Sequence, residues 1–218
     1  NNFLWTSKWQ QIFAWGTLIF FLVVPLVGFV TWVIRRLIRA KSRNNYLGWT
    51  FGGLWLLGWI CAVLFASSIG KDFSVWKNDG GTELSLTQPI NGKMIVAVTG
   101  PELEQTGNMW WIDDESRGWD ISSDTLKLST VKIDDVLPSY DASYHVIIKK
   151  YSYGRNTDEA MNRAMSIQYK ASSKDSILDL GSGYAISKEN KFRFQQVHVE
   201  ILVPVGKKIR FDESVKSP

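Results

Sequence analysis

The stretch from Ile12 to Ile34 reads IFAWGTLIFFLVVPLVGFVTWVI and contains no charged residue. As a helix it would be about 34 Å long, since each residue adds roughly 1.5 Å, and this exceeds the roughly 30 Å hydrocarbon core of a bilayer. A second uncharged run extends from Tyr46 to Ile69. The first run is longer than the apolar core of a signal peptide, and it continues directly into the basic stretch RRLIRAKSR. We therefore predict two transmembrane helices, at residues 12–34 and 46–69.

Basic residues concentrate between the two predicted helices. Segment 35–45 carries no acidic residue, and its basic residues are Arg35, Arg36, Arg39, Lys41 and Arg43. Because basic loops remain on the cytoplasmic side, we predict a cytoplasmic loop at 35–45, an outer interfacial segment at 1–11 and a periplasmic C-terminal domain at 76–216. The predicted location is therefore the inner membrane, with two passes. The net charge of +4 comes from the membrane part, so we expect no nucleic-acid partner.

Small residues recur every four positions in the second predicted helix: Gly58, Ala62, Ala66 and Gly70. In lipid, small side chains allow two helix backbones to approach closely. We predict that this stripe packs against the first helix or against another subunit, which would be a second copy or a different protein. Pro25 lies in the middle of the first helix, where its missing backbone donor predicts a kink. Neither helix contains an ionisable residue of the kind that transport pathways need.

The pattern changes near Trp76 to short alternating runs separated by turn residues. Alternation of apolar and polar residues predicts half-buried strands, here at Lys93–Thr99, Leu126–Ile133, Tyr144–Tyr151, Val197–Val203 and Lys208–Asp212. One segment has helical spacing instead: Asn156 or Thr157 can cap it, and Asp158 and Glu159 suit its first turn. We expect this helix to lay Ala160, Met161, Ala164 and Met165 on the sheet. The predicted fold is a helical membrane hairpin plus a mainly-β soluble domain with one packed helix, an α+β class.

Residues capable of catalysis or metal binding do not form a recognisable motif. His145 and His198 lie on separate predicted strands with no nucleophile paired to them in the sequence. The acidic segment 113–120 departs from a calcium loop, because Arg117 occupies a ligand position and the final Glu is missing. The single cysteine, Cys61, lies in an apolar run. We predict no enzymatic activity, no cofactor and no catalytic or metal site.

Three C-terminal segments resemble a known family. They are YGRNTDEA at 153–160, with Ala164 and Ile167–Tyr169 after it, KFRFQQV at 191–197, and VPVGKK at 203–208. They are similar to the C-terminal part of large PspC-domain (phage-shock-protein-C-like) membrane proteins of Gram-negative bacteria. The second predicted helix also resembles their last membrane segment. The resemblance implies a longer protein with a PspC-like region and further spans upstream, and a strand-rich tail similar to toast-rack or adhesin-like domains.

These observations favour a non-enzymatic inner-membrane protein of envelope stress sensing or regulation. Its periplasmic domain would bind protein or assemble with itself, and its helices would contact membrane lipid. A first alternative is an accessory or scaffold subunit of a larger envelope complex for transport or secretion. An envelope enzyme or a lipid-binding domain is a further alternative; the missing catalytic motif counts against the enzyme.

Overall fold

The computed structural model describes residue 5 and residues 7–37, 46–100, 105–106, 118–122, 124–129 and 131–215. The described chain divides into two compact units, a helical unit that ends at Asp72 and a strand-rich unit that begins at Phe73. This arrangement confirms the predicted α+β fold class, with helices first and strands after them.

The helical unit consists of two long helical segments. The first comprises α1 (Lys8–Leu18), a π-helical turn (Ile19–Val23) and α2 (Val24–Leu37), and the second is α3 (Tyr46–Asp72). The start of α1 is capped by the Ser7 side chain, which accepts a hydrogen bond from the Gln10 backbone. Both segments are long and apolar enough to span a membrane, and few of their side chains are buried within the chain. Mostly exposed apolar helices are suited to contact with lipid.

The π-helical turn ends two residues before Pro25. Pro25 cannot donate a hydrogen bond to the carbonyl of Phe21, and its ring would clash with that carbonyl in a regular α-helix. A π turn widens the helix locally and so accommodates the proline. The helix therefore continues through Pro25 as α2.

Glycines bring the two long helical segments together. A Cβ atom on Gly58 would lie 2.9 Å from the Phe20 Cβ, and one on Gly16 would lie 3.3 Å from the Cys61 Sγ. Phe21 adds an edge-to-face contact with Trp59, with ring centroids 5.1 Å apart. A side chain at position 58 would force a shift of the Phe20 side chain or of the backbones, and one at position 16 would need a smaller adjustment of Cys61.

The strand-rich unit contains thirteen strands in its described part. They are β1 (Val75–Asn78), β2 (Thr82–Glu83), β3 (Lys93–Thr99), β4 (Gln105–Thr106), β5 (Gly118–Ile121), β6 (Thr125–Leu128), β7 (Val131–Pro138), β8 (His145–Gly154), β9 (Ala171–Lys174), β10 (Ile177–Gly181), β11 (Tyr184–Ser187), β12 (Gln196–Val203) and β13 (Lys208–Phe211). A helix, α4 (Thr157–Met165), follows β8, and a 3-10 turn (Lys188–Asn190) follows β11.

The strands form three sheets. The first sheet has the order β1-β8-β12-β7, with β2 also paired to β8; the second is β13-β3-β10-β9; the third is β11-β6-β5-β4. The first and second sheets contain both parallel and antiparallel pairs. In the first sheet β12 runs parallel to β7, and in the second sheet β3 runs parallel to both β10 and β13. The unit is thus built from mixed sheets.

One face of the first sheet covers the two other sheets. Val197 of β12 packs with third-sheet residues such as Leu126 and Tyr184, while Val199 and Ile201 of the same strand pack with second-sheet residues such as Met94 and Leu178. Because side chains alternate along a strand, β12 presents all three of its apolar residues to this core. The opposite face of the first sheet carries Tyr151, His198 and other polar or aromatic residues.

The structure corrects one predicted strand. Residues 126–133 form parts of two strands, β6 and β7, which lie in the third and first sheets. Both halves alternate apolar and polar residues, so periodicity alone could not reveal the break between them.

The orientation of the predicted soluble helix is also corrected. Its N-cap is Asn156, whose side chain accepts a hydrogen bond from the Glu159 backbone at 2.8 Å. Ala160 and Ala164 are buried as expected, but Met165 is 53% exposed and Arg163 is buried instead. The Arg163 guanidinium is tolerated there because it donates to the Glu159 carboxylate at 2.6 Å and to the Tyr153 carbonyl at 3.3 Å.

Candidate functional site

An aromatic groove lies in the strand-rich unit. It is about 540 Å³ in volume and is lined by Phe73, Trp76, Tyr153, Phe194 and Gln196. Strand pairing builds one side of it, because Trp76 of β1 lies opposite Tyr153 of β8. Their ring centroids are 4.5 Å apart, and Phe73 is 5.8 Å from Tyr153 and 5.6 Å from Phe194. The groove therefore offers several ring faces and one amide to a ligand.

The loop before β12 has an unusual backbone where it enters the groove. Phe194 has a φ of 49° and Lys191 a φ of 53°, and left-handed backbone is costly for residues other than glycine. The buried Gln195 side chain secures this conformation. Its Oε1 accepts from the Arg193 backbone at 2.6 Å and its Nε2 donates to the Lys191 carbonyl at 2.7 Å. The Tyr184 hydroxyl in turn donates to the Gln195 carbonyl.

Arg193 connects this loop to Phe73. The Arg193 side chain is 3% exposed, and its guanidinium carbon lies 5.2 Å from the centre of the Phe73 ring. A cation at this distance from an aromatic face is held by the ring quadrupole. Arg193 also donates to the Phe192 carbonyl at 2.6 Å. The wall of the groove is therefore fixed by specific contacts.

Two carboxylates hold His145 on the outer face of the first sheet. Its Nδ1 lies 2.5 Å from Glu83 and its Nε2 lies 2.9 Å from Asp141, and the Tyr140 ring stacks on it with centroids 4.7 Å apart. The hydrogen bonds to Glu83 and Asp141 raise the pKa of His145 above its usual range. The hydrogen bond with His145 likewise lowers the pKa of Asp141. This arrangement favours the imidazolium form.

His198 lies on the same face of the sheet, in β12. Its Nδ1 is 2.8 Å from Asp134 and its Nε2 is 3.1 Å from the Gln196 amide oxygen. The Tyr151 ring packs against it, with centroids 4.8 Å apart. The neighbours of both histidines are thus carboxylates, an amide and tyrosine rings. Within the described part of the chain, no group of three or more His, Cys, Asp or Glu residues is placed to hold a metal ion.

The β7 strand forms an outer edge of the first sheet and exposes apolar side chains. Val136 and Leu137 are each 40% exposed. The pairing of β7 with β12 shifts register, since Val199 pairs with Ile133 and Ile201 pairs with Val136. This bulge bends the strand, and a bent edge resists indiscriminate pairing with other strands. Val136 and Leu137 are therefore exposed apolar side chains on opposite faces of this edge strand.

A buried polar cluster joins the ends of the two long helical segments. Gln10 is 1% exposed and Asp72 is fully buried. The Gln10 side-chain amide donates to Asp72 Oδ2 at 2.9 Å and to Ser68 Oγ at 3.0 Å. Such bonds between helices stabilise a membrane hairpin, because each satisfies a polar group that lipid would not.

The predicted site residues lie as follows. Gly58 is buried against Phe20, Ala62 is half-buried, and Ala66 and Gly70 are exposed within this single chain. Packing of Ala66 and Gly70 on another subunit thus stays a prediction. Arg35 and Arg36 lie in the last turn of α2. Arg39, Lys41 and Arg43 lie outside the described residues, as does most of the acidic segment 113–120.

Sequence reasoning missed the aromatic groove and the Gln10 cluster. A partial signal existed for the groove, since Tyr151 and Tyr153 alternate on one face of β8 and Phe192 and Phe194 alternate in the loop. Nothing local in the sequence indicated that Phe73 and Trp76 would join them. Gln10 lies next to the first apolar run. Polar residues are common at such positions, so the sequence did not indicate that Gln10 would be buried against Asp72.

Two regions of the chain match known families. Residues 1–73 match the PspC transmembrane region, and residues 120–217 match a toast-rack domain found in some PspC proteins. The chain is a PspC-like membrane protein with a toast-rack domain. Membership of this family indicates a membrane protein of the envelope stress response, and both matched regions are regulatory or membrane domains. No curated protein and no solved structure matches the chain.

The toast-rack fold of this PspC-like chain begins before the matched segment. Strands β1, β2 and β3 lie between Val75 and Thr99, and each pairs with a strand of the matched region. The aromatic groove combines residues from both sides of residue 120, because Phe73 and Trp76 precede the toast-rack match while Tyr153 and Phe194 fall within it. Two segments that carry the resemblance, 153–160 and 191–197, meet at this groove.

Proposed function

We propose that this PspC-like chain is a non-enzymatic inner-membrane protein that senses or regulates envelope stress, and that its toast-rack domain lies in the periplasm and binds proteins or further copies of the chain. The main support for the proposal is that one chain combines a PspC transmembrane region with a toast-rack domain. The basic segment 35–45 supports the orientation, since such loops stay in the cytoplasm.

The surroundings of the histidines support a non-enzymatic role. A general base must reach the proton that it abstracts, but His145 is held between Glu83 and Asp141. His198 is held in the same way by Asp134 and Gln196. These contacts suit structural and electrostatic roles on the surface of a sheet.

Val136 and Leu137 supply exposed apolar side chains on the β7 edge for protein contact. Apolar side chains that are 40% exposed lose contact with water when a partner covers them, and this stabilises the complex. The β7 strand is also a bulged edge, which favours contact through its side chains over the addition of another strand. Both features suit a regulatory contact that forms and breaks.

The test is a stress reporter combined with co-purification. Cells that produce the full chain or its Leu137→Lys variant are challenged with an agent that permeabilises the envelope, and the chain is then purified in mild detergent. We expect the variant to lose both the reporter response and a defined regulatory partner or its own oligomer. Ile177→Lys is the matched control, since Ile177 is an apolar residue that is 48% exposed on β10 of the second sheet, which does not contain β7.

Other outcomes would reject this role. Recovery of a many-subunit transport or secretion assembly, with no change in the reporter, would favour the accessory subunit instead. Loss of the reporter response in Ile177→Lys as well would mean that any charged change on the surface disturbs the domain.

Orientation is tested by labelling in spheroplasts. Cysteines are placed singly at Ser42 and Ser172, in a Cys61→Ala background so that no native thiol interferes. We expect a membrane-impermeant thiol reagent to label position 172 and not position 42. Labelling of position 42 alone would reverse the proposed topology.

A further inference from the structure

We propose that the aromatic groove is a lipid-contact site, which binds phospholipid of the leaflet at which α3 ends. This inference does not depend on the role in stress regulation. It assigns a ligand to the groove formed by Phe73, Trp76, Tyr153, Phe194 and Gln196. Three observations lead to it: the covalent tether of the groove to a membrane helix, its composition, and the backbone of its loop.

The covalent chain limits how far two walls of the groove can lie from the end of α3. Phe73 directly follows Asp72, the last residue of α3, so these two Cα atoms are about 3.8 Å apart. Trp76 is four residues beyond Asp72, and a fully extended chain of that length spans at most about 14 Å. The headgroup region on each side of the hydrocarbon core is roughly 5–8 Å thick. Phe73 and Trp76, two walls of the groove, are therefore within reach of the headgroups.

The composition of the groove suits this location. Tryptophan and tyrosine are enriched where hydrocarbon meets water, because each combines an apolar ring with a polar atom. Trp76 stacks on Tyr151 at 5.3 Å and packs on Tyr153 at 4.5 Å. Gln196 adds an amide at the edge of the groove, which can donate to a phosphate or ester oxygen. Rings and an amide together match the chemistry of a headgroup and the first carbons of its acyl chains.

The loop that carries Phe194 holds this ring in place. Its left-handed backbone, with a φ of 49°, costs free energy that the fold must offset. The offset comes from Gln195, which is 2% exposed and bonds to two backbone groups of the same loop. A strained backbone that a buried side chain such as Gln195 stabilises is expected where the strained residue must point its own side chain in a particular direction. Here that side chain is an aromatic ring in the groove.

Photo-crosslinking of the full chain tests the proposal. The photoreactive residue p-benzoyl-phenylalanine replaces Trp76 or Phe194, and the protein is reconstituted in vesicles of phosphatidylethanolamine and phosphatidylglycerol. The matched control carries the same residue at Tyr140, an aromatic position that is 77% exposed. After irradiation, mass spectrometry should find phospholipid adducts at positions 76 and 194 at several-fold higher yield than at position 140. Equal yields at all three positions, or no adduct, would overturn the proposal.

The same experiment in native membranes separates lipid from protein as the occupant. An adduct between position 76 or 194 and another protein, with no lipid adduct, would assign the groove to a protein partner and refute the lipid site. A lipid adduct in both settings supports the proposal whatever the stress reporter shows, so the two proposals fail independently.

A variant with an intact backbone shows whether the groove itself binds the lipid. Phe194→Gly removes the ring and suits the left-handed backbone, so the domain should keep its circular dichroism spectrum and its cooperative melt. With the photoreactive residue at position 76, this variant should reduce the lipid adduct to the level seen at position 140. An undiminished adduct in a folded Phe194→Gly protein would exclude the groove as the binding site.

Discussion

At the scale of single residues, His145 makes the stability of the toast-rack domain depend on pH. Glu83 and Asp141 raise its pKa, so folding favours the protonated imidazole. The stabilisation is complete below the unfolded pKa of about 6.5 and is lost as the pH rises through the folded pKa. The pKa of Asp141 is lowered by folding. Its contribution to the stability of the domain is therefore present above the pKa of the unfolded residue and is lost as the pH falls through the folded pKa. Together, His145 and Asp141 therefore stabilise the domain most at pH values above the unfolded pKa of Asp141 and below that of His145.

We predict that His145→Gln lowers the melting temperature of the domain more at pH 5.5 than at pH 8.5. The reason is that the charged form of wild-type His145, which Glu83 and Asp141 stabilise, is more populated at the lower pH. Thermal melts of both proteins at the two pH values measure the difference. Gln168→Asn is a suitable control, because Gln168 is exposed and distant in sequence from the histidine. An equal loss at both pH values would show that His145 acts through packing alone.

At the scale of elements, Gly58 controls how closely the two long helical segments approach. We predict that Gly58→Ala destabilises the hairpin by about 1–3 kcal/mol, the usual cost of overpacking, because the new Cβ would lie 2.9 Å from the Phe20 Cβ. Unfolding of the protein in mixed micelles with increasing denaturing detergent measures this change.

Gly53 provides the matched control for the hairpin. It lies in the same helix with nothing within 4 Å of an added Cβ, so Gly53→Ala should leave stability unchanged or raise it slightly through helix propensity. If both variants were equally stable, the two helical segments would not depend on close approach at Gly58.

The capping of α4 gives a second prediction at this scale. Asn156→Ala removes the hydrogen bond that the cap accepts from the Glu159 backbone and should cost about 1 kcal/mol. In a domain of this size, that cost lowers the melting temperature by roughly 2–4 °C. Asn162→Ala is the control, since Asn162 is exposed in the same helix and alanine favours helix there. An unchanged melt in Asn156→Ala would mean that packing alone holds the start of α4.

At the scale of the whole molecule, the toast-rack domain has its own core. The first sheet covers the second and third sheets with residues such as Val197, Val199 and Ile201, all fully buried. This core uses residues of the strand-rich unit only, and burial of apolar surface is the main driving force of folding. Nothing in this core requires the membrane helices.

We predict that residues 73–218 fold when they are produced alone. They should give a circular dichroism spectrum dominated by strand and a single cooperative melt, as one continuous core implies. A shorter fragment that ends before β13 should melt at lower temperature, because β13 pairs with β3 at the edge of the second sheet. A disordered spectrum of the 73–218 fragment would show that folding needs the helices or a partner.

The sequence by itself determined the two membrane helices, the strands such as β3 and β12, and the cap of α4. Each depends on local properties: the length of an uncharged run, an alternation of period two, or the hydrogen bond of one capping side chain. Tertiary structure alone decided that residues 126–133 belong to two sheets, that Arg163 rather than Met165 is buried, and that Phe73, Trp76, Tyr153 and Phe194 form one groove. These features depend on contacts between residues far apart in the chain, and such contacts leave no periodic trace in the sequence around either partner.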